Sequence, residues 1–578
     1  MFSLNQDILD ALEEISAEEL MEHTRRVSSE VRLSGSSEEI RAFHYVQSEL
    51  KSMGLQPVLR FHKALISLPG SAAICFPALQ LTIPCITHSF SGSCQGLEGE
   101  LFYLDTAGEP PAGPVVNLEG KIVLQEGIAM PVKVHHAKTL GAIGQIYIND
   151  EHTHEMIVST VWGSPSPDRM EDLPSFPVVS VTSQVGARIR EIVKTHNPLT
   201  VRLSTMVDTE WRDIPLMTAD IQCTSGGSQY ALLSGHIDSW HFGAMDNAAA
   251  NATMLEVARI LSGRKGLMRR NLRLAFWSGH SHGRYAGSTW YADNNWLDLH
   301  KNCVVHVNVD STGGAGASIT DEAPVMPQTY DVAREVIGAI TGADLRFKLI
   351  GRAGDQSFWG LGIPSLFINV SEQPLDESAA SKGFSLLMGP QGGYRGGGLG
   401  WWWHTTEDLI DKIDSNNLVR DTSIYLGVVM RFCMDLVIPL RYSSLIRWLL
   451  AQIRNLDGQH FEPFNAVEIL AEKLLGLLIE LEHPENNSTY LNPCLMELGK
   501  LLVPCTVTSG DPFEHDDALP RGPVPMLDAV RAMLTNEPGS DGYLLYQVAA
   551  VRKVNRLLYC LDKASELVQS ALGSSKGA

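Results

Sequence analysis

At 578 residues, with about 150 residues to a typical domain, the chain is too long for one compact core and predicts three or four units. Hydrophobic residues at 44%, charged residues at 19%, and 50 Gly with 29 Pro exclude a disordered, collagenous or low-complexity polymer. The 66 acidic against 45 basic residues leave a net charge of −21, which repels a phosphate backbone instead of releasing its counterions, so nucleic acid is excluded as a first-choice partner.

No apolar run reaches the roughly 18 residues that span a bilayer, and the opening MFSLNQDILDALEEISAEEL is acidic and amphipathic. We therefore expect no membrane span and no secretory signal. The nine cysteines are odd in number, contain no CxxC pair and sit mostly in apolar context, which predicts reduced core thiols of a cytoplasmic protein; a mature secreted chain would read the same way.

In chain order, Ser36 and Glu39 fit a capping box, Ile40, Phe43, Leu50 and Met53 follow at helical spacing, and Gly54 closes the segment. Residues 1–65 are read as the helical start of a larger unit. From 66 to 205 short β-like runs take over, including LEGKIVLQEG at 118–127 and FPVVSVT at 176–182, with a helix at 132–140 running through Gly141 and Gly144 into an apolar strand. From 206 to 440 apolar strands alternate with helices: YALLSGH, ATMLEVARILSG, LRLAFWSG, CVVHVNVD and PSLFINV. Such alternation predicts an α/β fold, a mostly parallel sheet flanked by helices. Residues 441–578 read as a helical domain, interrupted by the polar loop SGDPFEHDDALP at 509–520, whose His515, Asp516 and Asp517 are read as solvated.

Ligands of open α/β sheets bind beyond the carboxyl ends of the strands, and several of these strands end at polar residues. In GHIDSWHFGAMDN, His236 stands two residues before Asp238, and Asp246 follows eight residues later at the start of a helix. This supplies an imidazole ligand, a carboxylate to orient it and a carboxylate ligand. Asp310 ends another strand, and His404 lies in WWWHTTEDLIDKID. His135 and His136, lacking a spaced acidic partner, are read as structural, and His241 as a supporting or surface residue.

The order HxD, DN, a strand ending FW, a strand ending in Asp, and a late His before T-x-x-D resembles the M28 family of zinc aminopeptidases and carboxypeptidases. The resemblance extends to a protease-associated (PA) domain for the 66–205 insert and to a helical dimerisation domain for 441–578. It implies a zinc-exopeptidase-like fold, a homodimer, His236 and Asp310 as ligands of one metal, Asp246 as a bridging carboxylate, His404 as a ligand of a second metal, and Asp238 behind His236.

The chain departs from the family at one place. Where the family has two adjacent glutamates, a general base and a ligand, this sequence reads FWSGHSHGRYAGSTWY, which puts His280 and Ser281 at those positions. Two dications about 3.5 to 4 Å apart need anionic ligands, and only Asp246 and Asp310 remain, so we expect one tightly bound ion, or two with the second held weakly. Its ligands would be His236, Asp246, Asp310, His404 and, unless it serves as the catalytic proton shuttle, His280. The donor set favours a divalent transition metal, with zinc as the default and iron, manganese or cobalt open. Arg352, Asp355, Tyr285 and Trp403 are expected to touch substrate, and the glycine-rich run 389–400 to form a lid. The function expected is metal-dependent hydrolysis of an amide bond in a small peptide-like substrate. The alternatives are an enzyme retuned for a non-peptide carbon–nitrogen bond and an inactive scaffold of peptidase fold.

Overall fold

The computed structural model describes residues 4–104, 117–196, 198–388, 394–457, 461–483 and 488–575. Eleven strands form one continuous set of pairings: β1 (Val58–Phe76), β2 (Leu81–Thr87), β3 (Cys94–Tyr103), β4 (Lys121–Glu126), β5 (Gly144–Ile148), β6 (Val178–Val181), β7 (Thr200–Ile221), β8 (Tyr230–His236), β9 (Asn271–Trp277), β10 (Cys303–Asn308) and β11 (Ser365–Leu366).

The α/β half is built on β9, β8, β10 and β11, which run parallel, with β7 added antiparallel to β9. Every residue of β8 and β10 is buried, as a parallel sheet covered on both faces requires. Alternate side chains divide between two apolar clusters. Ala231, Leu233 and Val305 join the helices Ser37–Ser52, Ala250–Ser262 and Ser415–Met434, whereas Tyr230, Leu232 and Trp277 pack beneath Ala286–Asn294 and Trp296–Asn302. The C-terminal helices share the first cluster through Leu445, Leu449, Leu474, Leu557 and Leu561, so the last module completes the main core.

The β-rich half is a ring. β1 pairs with β2 and β7, and β2 leads through β6, β5, β4 and β3 back to β7. Within it β3, β4, β5 and β6 are parallel; the helix Pro131–Thr139 joins β4 to β5, and Ser183–Thr195 leads from β6 to β7. β1 and β7 belong to both halves: Ile74 pairs with Leu203 in the ring, and Val58 pairs with Thr218 beside the α/β sheet. The boundaries expected at 65/66 and 205/206 fall inside these two strands.

The helix start expected at Ser36 is present, with its hydroxyl accepting the Glu39 amide at 3.1 Å. Among the described residues no helix is long and apolar enough to cross a membrane. Cys505 and Cys560 lie side by side with Cα atoms 7.1 Å apart, and the other seven cysteines are free thiols.

Candidate metal centre

The cluster forms where the sheet geometry delivers it. His236 is the last residue of β8, Asp310 lies two residues beyond β10, and His280 follows β9. Gly243, at φ +55°, makes the turn before Asp246; a Cβ there would meet the Asp246 carbonyl oxygen at 2.2 Å. Non-glycine residues in the left-handed region gather here as well: Arg284 (φ 48°), Tyr285 (70°), Ser311 (49°) and His404 (61°). Such strain persists only where surrounding contacts enforce it, and it concentrates at functional sites.

Asp246 sits at the centre. Its Oδ1 is 3.2 Å from His236 Nε2 and its Oδ2 is 3.1 Å from His404 Nε2, so one carboxylate reaches toward both imidazoles. Asp310 Oδ2 lies 3.7 Å from His236 Nε2. His236 Nδ1 is 2.9 Å from the Asp238 carbonyl oxygen and 3.4 Å from the Asp238 carboxylate, which leaves Nε2 facing the acids. The Asp238 carboxylate in turn accepts the Ser34 hydroxyl at 2.6 Å and the Ser281 amide at 2.9 Å, so it holds the altered motif in place.

His236 Nε2 is buried and has no hydrogen-bond partner among the described residues. Burial opposes charge on this imidazole, yet Asp238, Asp246 and Asp310 outweigh it and raise its pKa well above the ordinary value. For Asp246, burial opposes ionisation, and His236 and His404 overcome it, holding the carboxyl well below its usual range. A buried pocket that pulls positive charge into itself, with nitrogen and oxygen donors converging, fits a divalent cation.

His280 also lies here: single donor atoms of His236, His280 and Asp310 fall within 4.8 Å of one another. Its ring, however, stacks on His236 with centroids 3.8 Å apart and planes 7° from parallel. A zinc ion bonded at about 2.0 to 2.1 Å must lie near the plane of each imidazole that binds it, and stacked planes leave no point near both. His280 Nδ1 is 2.9 Å from Asp355 Oδ2, leaving Nε2 as its free nitrogen. The stacked position suits a group beside the ion rather than a second in-plane donor to the ion held by His236.

The four expected substrate contacts turn out to be engaged with protein. Arg352 is an ion pair with Asp516 at 2.6 Å, both side chains 6% exposed, and also donates to the Val507 carbonyl; its charge is already matched. Asp516 is therefore buried and not solvated. Asp355 binds His280 and the Ser288 hydroxyl (2.7 Å). Tyr285 packs edge-on against His280 at 5.0 Å, and the buried Trp403 covers His404 at 3.8 Å. Of the glycine-rich run, residues 389–393 lie outside the described residues; Gly397 and Gly398 are bonded to the Gln373 backbone.

Three supports were missed in the sequence. Asp408, the acid of the T-x-x-D pattern, accepts the Met245 and Asp246 amides at 2.8 and 3.0 Å, and burial pushes its pKa up to about 7. Arg32, fully buried, donates to the carbonyls of Ile237, Phe242 and Gly243 and so pins the loop between His236 and Asp246. The Glu155 carbonyl, from the β-rich half, lies 2.8 Å from His404 Nδ1, and the Glu155 amide donates to the His404 carbonyl at 2.9 Å. T-x-x-D was a usable signal for Asp408; a backbone carbonyl leaves none.

Residues 218–429 match the family model of peptidase family M28. This part of the chain is an M28 domain. It begins inside β7, ends in the helix Ser415–Met434, and contains His236, Asp246, His280, Asp310 and His404. Among curated proteins, the chain is 25% identical over 245 residues to the probable glutamate carboxypeptidase VP8 of Zea mays, covering 40% of this chain and 32% of that protein. To carboxypeptidase Q of Bos taurus it is 24% identical over 288 residues, covering 45% and 57%. The chain thus spans about a third of the length of the maize relative, and 19% of aminopeptidase NAALADL1 of Mus musculus. Among solved structures, an aminopeptidase from Aneurinibacillus sp. strain AM-1 superposes with a TM-score of 0.53 at 20% identity, covering 75% of this chain and 98% of that one. BSAP, a zinc aminopeptidase from Bacillus subtilis, gives 0.53 at 19% identity, covering 73% and 95%. These likenesses show a shared fold.

Proposed function

We propose that the protein is a metal-dependent hydrolase that cleaves an amide bond in a small peptide-like substrate, with one tightly bound divalent ion, zinc by default. The observation that carries this reading is the buried Asp246 carboxylate at the carboxyl ends of the strands, which reaches both His236 and His404, with Asp310 beside His236. An ion bound there would supply the charge that polarises a scissile carbonyl and makes water nucleophilic at neutral pH. Asp246 and Asp310 match the charge of a single dication, which favours one ion over two.

His280 takes the work of the absent glutamate. Its Nδ1 is fixed by Asp355, and its Nε2 would accept the proton of the attacking water and return it to the departing amine. Asp238 holds the backbone at 280–281, and Trp403 and Tyr285 shield the two imidazoles from solvent. We further propose that the β-rich ring is a PA-like domain, that the exposed apolar residues of the last helix, Leu544, Leu545, Val548 and Tyr559, support a homodimer, and that the protein is cytoplasmic.

Metal analysis with a panel of aminoacyl, peptidyl and non-peptide amides tests the central claim. About one transition-metal ion per chain and turnover of aminoacyl or peptidyl amides are expected, with both lost in His236→Ala. Protein free of metal, or activity confined to non-peptide amides, overturns it.

A further inference from the structure

A half-open pocket lies in the β-rich half, at the carboxyl ends of its parallel strands. β4 and β5 lead into Gly127 and Asn149 on its wall, Ser183 follows β6, and Lys382 and Gly383 of the helix Ala379–Met388 close it from the other side; its volume is about 290 Å³.

Two of its charged groups have no ionic partner among the described residues, Asp150 and Lys133. Glu126 is paired with Arg190 at 2.5 Å and accepts the Tyr103 hydroxyl at 3.0 Å. Glu377 is paired with Lys382 at 2.9 Å, and Asp150 accepts the Ala379 amide. Lys133 remains. It is 8% exposed, donates one hydrogen bond to the Glu126 carbonyl at 2.6 Å, and lies 5.1 Å over the Tyr147 ring. Among the described residues no carboxylate forms an ion pair with it. A buried ammonium with no carboxylate is costly, and beside a cavity the cost is recovered when an anion enters.

We propose that this cavity binds a small oxyanion, the phosphate or carboxylate group of a small molecule, with Lys133 as its counter-ion. Arg190 and Lys382 on the wall are each neutralised by a carboxylate there, Glu126 and Glu377, so Lys133 is the group that would meet the anion. The site is distinct from the metal centre: none of its lining residues is among the metal-binding candidates.

Inorganic phosphate and acetate, each against sodium chloride at equal ionic strength, provide the test, read by calorimetric titration and by the thermal midpoint. Saturable binding of either is expected, weakened at least tenfold in Lys133→Met. The stronger of the two anions names the source, phosphate or carboxylate. In the unaltered protein, the preferred anion should also slow acetylation of Lys133 by acetic anhydride at least threefold relative to exposed lysines, a readout that survives if the variant does not fold. No saturable binding of either anion up to about 50 mM, equal binding by Lys133→Met, or unprotected Lys133 overturns the proposal.

Discussion

His280 occupies a place where the family pattern has a carboxylate, and it brings an imidazole instead. What makes it useful is Asp355, buried and fixed by Ser288, which leaves one nitrogen of the imidazole free. His280→Ala is therefore expected to lower kcat by about 10²- to 10⁴-fold while metal content stays at the level of the unaltered protein; parallel loss of metal would mean that His280 is a ligand after all. Asp355→Asn should lower kcat by about 10- to 100-fold with little change in KM, measured in the same assay. At this scale the sequence was legible where a side chain does the work. His236, Asp246, Asp310 and His404 stood out because imidazole and carboxylate recur at strand ends. Arg32 did not, because it acts on carbonyls more than 200 positions away, and the Glu155 contact runs through backbone that any residue type would provide.

Among the elements, the loop at 509–520 shows how composition misleads. Its polar residues read as a solvated turn, yet Asp516 accepts the Ser509 and Gly510 amides and pairs with Arg352 inside the protein. Burial alone would raise the Asp516 pKa, and Arg352 reverses the shift. Removing one partner strands a buried charge, so Asp516→Ala should cost about 3 to 5 kcal/mol in urea unfolding, whereas the double change Arg352→Met with Asp516→Leu should recover most of it. A single-variant cost equal to that of the double would show that the two charges are not coupled. The helices and parallel strands were legible from apolar periodicity, which is local. The partner of Asp516 was not, because it lies 164 positions away in sequence and no pattern in either segment names the other.

For the whole molecule, buried neutral histidines set an acid limit. Burial lowers His62 to about 4 and His88 to about 3, against an ordinary value near 6.5. Above pH 6.5 neither the folded nor the unfolded chain protonates them. Below it only the unfolded chain does, so stability should fall as pH drops from 6.5 toward 4 and continue falling toward 3. Thermal midpoints measured from about pH 8 to pH 5 should be flat and then decline, and His62→Phe, which can keep the stack on Trp290, should flatten part of the decline. The alternation of strands and helices made the α/β half legible at this scale. Ring closure was not, because it depends on β1 and β7 extending through both halves, and length alone does not tell a strand which sheet to join.

That shared pair of strands also bears on how the two halves depend on each other. Because Leu65 faces Trp211 across the ribbon, a chain shortened by deleting 66–205 could reseal as a hairpin and keep the peptidase sheet intact. It would then lack the carbonyl of Glu155 that steadies His404. The shortened chain would thus keep its sheet and lose one support of the imidazole at 404.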